Sequence, residues 1–207
     1  VPLVLTQSGQ MSVQLIDSAM VGRFGTAELA ASSFANGIYI VIMLFGLGVC
    51  LGITPLVGRA RGAHEDRLVA TIIRSGFVLS AILIPVITLL AWSMIWIMPN
   101  MGQPEEMVRL AIPYYKTLVV ALIPFLIFTL LKQIGEGLGN TIVAMAATIV
   151  TNLLNVILNY IFIFGKLGFP AMGLLGAGYA TLISRVVMPL ILYVGFWYLK
   201  PIRHYLL

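Results

Sequence analysis

Six apolar runs, each about as long as the 20 residues a helix needs to cross hydrocarbon, fill nearly the whole chain. They are Val1 to Val21, Leu29 to Val57, Thr71 to Met98, Met107 to Leu131, Thr141 to Phe164 and Leu174 to Leu199. Inside a bilayer no water is available to backbone N–H and C=O groups, so runs of this length must satisfy them internally as helices. The pattern predicts an all-α membrane protein, a bundle of six transmembrane helices at about 1–21, 29–57, 71–98, 107–131, 141–164 and 174–199. The breaks carry turn or charge signals: Gly22 to Gly25, Arg59 to Arg67, Pro99 to Glu106, Lys132 to Asn140, Gly165 to Gly173 and Lys200 to Leu207. None is long enough for a soluble domain. The first run is too long for the apolar region of a signal peptide, lacks an Ala-x-Ala-like cleavage site and begins with Val, so the chain is expected to be truncated upstream.

Composition excludes several function classes. Hydrophobic residues make up 60% and charged residues 9% of the chain, with a mean hydropathy of +1.05, a balance typical of proteins living in lipid. The net charge of +5 is spread over short breaks rather than clustered, which argues against nucleic acid as a partner. The lone Cys50 lies in an apolar run and reads as a small buried hydrophobe. His64 and His204 have no second His or Cys at metal-ligand spacing, and no Ser/His/Asp or Cys/His grouping occurs, so the chain is read as no enzyme and as carrying no cofactor. Orientation follows from the basic residues at alternate breaks. Arg59, Arg61, Arg67, Lys132, Lys200 and Arg203 fall on one side, Arg23, Arg109 and Lys166 on the other. The richer side is expected to be cytoplasmic, with both ends of the chain in the cytoplasm of a multi-pass plasma-membrane (bacterial inner-membrane) protein.

Within the first run stands one carboxylate, Asp17, where a charge costs several kcal/mol unless it faces a partner or water. At about 100° per residue, Thr6, Gln7, Gln10, Gln14 and Asp17 fall within a roughly 100° arc, a polar stripe leading to an acid. Asp17 lies five residues before Gly22, roughly 8 Å inside the outer end of its helix. On the fifth helix Thr148, Thr151, Asn152, Asn155 and Asn159 share a similar arc, with Asn159 six residues from Gly165. On the sixth, Thr181 lies eight residues from Gly173, roughly 12 Å in, with Ser184 on nearly the same face. Three helices thus bring an acid, two amides and a hydroxyl to similar depth, an oxygen-rich set suited to a hard cation, or to a proton on the carboxylate. Thr148, Asn152 and Ser184 read instead as interhelical hydrogen-bonding groups. Arg185, near the middle of the sixth helix, should face a cavity or a partner, whereas Arg74 and Lys116 can snorkel.

Three stretches carry a family resemblance: Ile16-Asp17-Ser18-Ala19-Met20-Val21-Gly22, Pro55-Leu56-Val57-Gly58-Arg59-Ala60-Arg61-Gly62-Ala63, and Asn155-Val156-Ile157-Leu158-Asn159-Tyr160-Ile161-Phe162-Ile163-Phe164-Gly165 continuing through Pro170 and Gly173 to Gly176-Ala177-Gly178-Tyr179-Ala180-Thr181. Together they resemble the amino-terminal half of multidrug and toxic compound extrusion (MATE) transporters, of the NorM-like branch, over essentially all 207 residues. The resemblance implies a two-lobe (6+6) transporter of which this chain is one lobe, the second lobe being absent. It also implies export of cationic amphipathic drugs in exchange for Na⁺ or H⁺ by alternating access. It assigns the first-helix acid to Asp17, the fifth-helix Asn to Asn155 and the sixth-helix Thr to Thr181. Pro2 matches a proline associated with bending of the first helix. The acid that some relatives carry on the fifth helix falls at Asn159, which leaves one carboxylate at the site and the choice of ion open. Candidate cation or proton ligands are therefore Asp17, Asn155, Asn159 and Thr181, and candidate cavity or helix-bending residues are Pro2, Gln10, Gln14 and Arg185.

Two other functions compete. A lipid-linked oligosaccharide flippase of the same superfamily would share the helix plan and line its cavity with basic residues, for which Arg185 is a candidate. A membrane-embedded lipid-modifying enzyme would need clustered acids or histidines, for which His64-Glu65-Asp66, in a short basic loop, is the one candidate. Remaining features have structural readings. Gly46 and Gly48-x-x-x-Gly52 suggest close helix packing, Gly135-x-Gly137-x-Gly139 a turn, and Pro85, Pro113, Pro124 and Pro189 kinks.

Overall fold

The computed structural model describes Val13 and residues 15–198. Among these the chain is helical throughout: α1 over 15–24, α2 (Thr26–Leu51), α3 (Ile53–Gly62), α4 (Asp66–Ile97), a 3₁₀ turn (Met98–Asn100), α5 (Glu105–Gly137), α6 (Ile142–Phe164) and α7 (Gly173–Tyr198). Five spans are long and apolar enough to cross a membrane: Thr26–Gly62, which joins α2 and α3, Asp66–Asn100, Glu105–Gly137, Ile142–Phe164 and Gly173–Tyr198. Most of the expected first crossing, including Pro2, Gln10 and Gln14, lies outside the described residues.

Several helices outrun their apolar cores. α4 starts at Asp66 instead of Thr71, and the second crossing continues through α3 to Gly62 instead of stopping at Val57. Hydropathy marks the depth of hydrocarbon, whereas a helix goes on into the interface until a cap or a left-handed residue ends it. The largest difference is at α5, which runs past Leu131 to Gly137. Gly135 and Gly137 are therefore helical packing positions, with only Gly139 in a turn, at φ 75°. A Cβ on Gly135 would come within 2.5 Å of the Phe196 ring, and one on Gly137 within 2.7 Å of Val57. The small-residue reading of α2 also shifts: Gly46 packs on Leu126, but Gly48 faces open space.

α5 is the axis of the bundle. Two-thirds (67%) of its most apolar window is buried, against 22–33% for the other spans. It contributes to both apolar cores. One core joins Tyr39, Ile87, Tyr115, Leu122 and Ile163 around α2, α4, α5 and α6, and the other joins Val57, Ile73, Ile134, Leu192 and Phe196 around α3, α4, α5 and α7. Outward, Val41, Leu44, Leu89, Ile157 and Leu190 are exposed, as a lipid-facing surface requires. Polar bonds link the helices inside. Asn36 donates to the Tyr114 hydroxyl (3.2 Å), Tyr115 donates to the Ala91 carbonyl (3.1 Å), and Thr54 donates to the Gln133 carbonyl (3.1 Å) and bonds its side chain. Such contacts are worth about 0.6–2 kcal/mol each in membranes. Pro85, Pro113, Pro124 and Pro189 all sit inside continuous helices.

α6 and α7 form the tight hairpin that positions the candidate site. Gly165 ends α6 in the left-handed region at φ 66°. The chain turns back so that the Met172 N–H donates to the Phe162 carbonyl at 2.9 Å. Four residues on, Gly176 lies against the α6 backbone, where an added Cβ would stand 2.7 Å from the carbonyl carbon and oxygen of Phe162. Backbone cannot rotate aside as a side chain can, so Gly176→Ala should force the helices apart and destabilise the protein by about 1–3 kcal/mol. Gly48→Ala, with open space around it, should leave stability unchanged or raised by about 0.5–1 kcal/mol through helix propensity. Thermal unfolding of the two variants in detergent checks the contrast, and equal midpoints would contradict it.

Candidate functional site

α1 runs on to Phe24, so Asp17 stands eight residues from the Gly25 break instead of five from Gly22. That is roughly 12 Å along the axis, the depth of Thr181 below Gly173. The structure brings Asp17 to α6. Asn159 Nδ2 donates to Asp17 Oδ1 at 2.5 Å, a bond between residues 142 positions apart. Asn155, one turn earlier, faces the same carboxylate. With its nitrogen turned to Asp17 it donates to both carboxylate oxygens, at 3.1 and 3.2 Å. With its oxygen turned there it accepts instead from Asn159 Nδ2 at 3.1 Å. A carboxylate can only accept, so the first orientation suits the ionised acid. The second places an amide oxygen beside two carboxylate oxygens, an arrangement that needs a proton or cation between them.

Asn159 is fully buried and Asn155 nearly so, at 7% exposure, while Asp17 is half-buried at the edge of a cavity. Asn159 Oδ1 is buried without a hydrogen-bond partner among the described residues. An orphaned carbonyl oxygen beside a carboxylate and a second amide is a donor set that fits a hard cation. Among the described residues no group of three His, Cys, Asp or Glu side chains could hold a transition metal.

The cavity has a volume of 450 Å³ and opens between α1, α2, α5, α6 and α7. Asp17, Asn155 and Thr181 share its wall, so Thr181 belongs to the same space although no hydrogen bond joins it to Asp17. Arg185 lines it as well. Its Nη1 donates to the Tyr39 hydroxyl, and its guanidinium carbon lies 5.1 Å from the Tyr39 ring centroid and 4.8 Å from that of Phe125. The expected structural roles divide. Thr148 and Thr151 are buried and donate to Ala144 and Ala147 carbonyls at 2.8 and 2.7 Å, which satisfies them within α6 instead of across helices. Asn152 and Ser184 both line the cavity, and the Ser184 hydroxyl is buried without a partner among the described residues.

Sequence reasoning did not pick out Ser32, Asn36, Tyr39, Tyr114 and Phe125. Four of these line the cavity, and Tyr39 braces Arg185. Ser32, Asn36 and Tyr39 recur at four- and three-residue spacing on one face of α2, a helical polar stripe that was readable in the sequence. Tyr114 and Phe125 gave no signal, because aromatic residues blend into an apolar run.

With the geometry in hand, comparison with known proteins assigns the family. Residues 2–161 match the MatE family model. The chain belongs to the MatE family. It is 34% identical over 187 residues to a probable multidrug resistance protein NorM of Mannheimia succiniciproducens, covering 90% of this chain and 40% of that protein. It is 36% identical over 194 residues to a probable NorM of Haemophilus ducreyi, covering 93% and 42%. An outward-facing multidrug resistance MATE family transporter of the MOP superfamily superimposes with a TM-score of 0.87 at 28% identity, over 96% of this chain and 44% of that one. The chain thus spans about two-fifths of the length of these relatives, which is the extent of one MATE amino-terminal lobe, in a multi-pass membrane fold. The two relatives are named as multidrug resistance proteins and the solved structure as a transporter.

If the Asp17–Asn159 bond is charge-assisted, its two ends must be energetically coupled. A double-mutant cycle of Asp17→Asn and Asn159→Leu, read by unfolding in detergent, should give a coupling energy of about 1–3 kcal/mol. Strict additivity would show that the two side chains are merely adjacent.

Proposed function

We propose that this MatE lobe works as half of a multidrug efflux antiporter, exporting cationic amphipathic compounds in exchange for Na⁺ or H⁺. The observation that carries this reading is the Asp17 carboxylate, held by two α6 amides on the wall of a cavity of drug-binding size. The names of the NorM relatives support drug efflux as the activity. In this reading Asp17, Asn155 and Asn159 hold the coupling ion, with Thr181 completing the oxygen set on the opposite helix. Asn159 in place of a second acid leaves a single charge to be neutralised.

The physical logic is a competition for one carboxylate. An ionised Asp17 attracts a cationic substrate into a low-dielectric cavity, and a cation or proton on Asp17 removes that attraction. Because Asp17 ties α1 to α6, neutralising it also weakens the bond that fixes α1, the two-state element that alternating access needs. The second lobe would supply the facing half of the substrate path. Positive-inside counting supports an orientation in the bacterial inner membrane with both ends of this segment cytoplasmic. Arg185 in the cavity favours one other reading, a lipid-linked oligosaccharide flippase, whose polyanionic cargo would pair with basic residues.

Asp17→Asn keeps the shape and removes the charge. In the full-length protein it should abolish ion-driven export of a cationic dye from proteoliposomes, with expression retained. Export at the parent rate in that variant would overturn the reading. Imposing a Na⁺ gradient without a pH gradient, and then the reverse, identifies the coupling ion.

A further inference from the structure

Arg185 is the one cationic side chain among the described residues lining the cavity, and Asp17 is the one anionic side chain. The two are not paired with each other. Asp17 is satisfied by α6 amides, and no carboxylate lies within salt-bridge distance of Arg185 among the described residues. The guanidinium is instead braced by neutral groups, the Tyr39 hydroxyl and the Tyr39 and Phe125 rings. Aromatic faces orient a guanidinium plane and offset part of its desolvation, but they leave its edge free. Of its five N–H donors, the hydrogen bonds among the described residues use one. In the same wall the Ser184 hydroxyl is buried without a partner among the described residues. A planar, pre-oriented donor edge that the described residues leave unused matches the fork of a carboxylate.

We propose that Arg185 anchors a carboxylate on the substrate, so that the cavity takes amphipathic zwitterions with an ammonium group towards Asp17 and an acid group on Arg185. This rests on the export reading above and changes its cargo from a net cation to a molecule that carries both charges. The charge balance decides between ligand classes. One acid and one base give the described lining no net charge, which suits a zwitterion. A polyphosphate or other polyanion would meet Arg185 with one charge and Asp17 with the rest. A zwitterion also preserves competition with the coupling ion, since that ion displaces its ammonium end.

The test uses a matched pair of dyes, a rhodamine with a free benzoate and its methyl ester, which differ at the carboxylate alone. Binding to the full-length protein in detergent is read by fluorescence polarisation as the ratio of ester Kd to free-acid Kd. The parent protein should prefer the free acid by about tenfold or more, as expected for a charge-assisted bond in a dry site. Arg185→Gln should bring the ratio to about one, and Arg185→Lys, which keeps the charge without the fork, should fall between. A ratio is insensitive to partial loss of folded protein, which lowers both signals together. A parent protein without preference, or an Arg185→Gln variant that keeps it, overturns the proposal and leaves the export reading standing. Failure of the parent to bind either dye overturns both.

Discussion

The arrangement of this lobe turns on a carboxylate placed inside the bundle, and the surrounding structure is arranged to tolerate it. A lone charge in hydrocarbon is opposed by several kcal/mol, and Asp17 avoids much of that by reaching α6, where Asn159 donates at 2.5 Å and Asn155 presents a second amide. This requires α6 to stand at a fixed distance and rotation. The hairpin with α7 supplies both, because Gly176 lets the two backbones approach more closely than any side chain would allow. A glycine remote from the carboxylate therefore sets the position of the amides that hold it.

The polar groups inside the lobe fall into two physical types. Thr148 and Thr151 bond back to carbonyls of their own helix, so they satisfy themselves wherever α6 sits. Asn36, Tyr115, Thr54 and the Asp17 cluster bond between helices and so depend on packing. The second type is concentrated on α5 and around the cavity. α5, buried on most sides, provides the frame against which the other helices pack.

How much of this was legible in the sequence depends on which force wrote each feature. The helices were, because a bilayer demands about 20 apolar residues per crossing and leaves runs of that length. Their ends were not: α4 begins at Asp66 and α5 continues to Gly137 because helices extend into the interface, beyond the reach of hydropathy. Asp17, Asn155 and Asn159 were readable as a set because polar residues are expensive in lipid and share arcs at equal depth. The α1 end at Phe24 brings Asp17 closer still to the level of Thr181. Gly135 and Gly137 misled, since a glycine run signals a turn and a tight helix crossing equally well, and only Phe196 and Val57 distinguish them. The bracing of Arg185 by Tyr39 and Phe125 was invisible, because a cation over an aromatic ring leaves no periodic trace.

Coupling between ion and substrate can be carried by the cavity itself. Asp17 and Arg185 belong to one wall, so any cation or proton arriving at Asp17 changes the summed charge of the described lining from zero to +1. Within a cavity of 450 Å³ that single charge is close to anything bound there. It opposes a bound ammonium group both by removing its counter-charge and by leaving Arg185 uncompensated. Arg185 cannot respond by losing its proton, since guanidinium stays charged in proteins. The same arginine that would anchor one end of a zwitterion thus adds to the repulsion of the other end once the ion has bound. In the proposed antiport a movement of α1 away from α6 would follow from electrostatics already present in the cavity, instead of having to cause them.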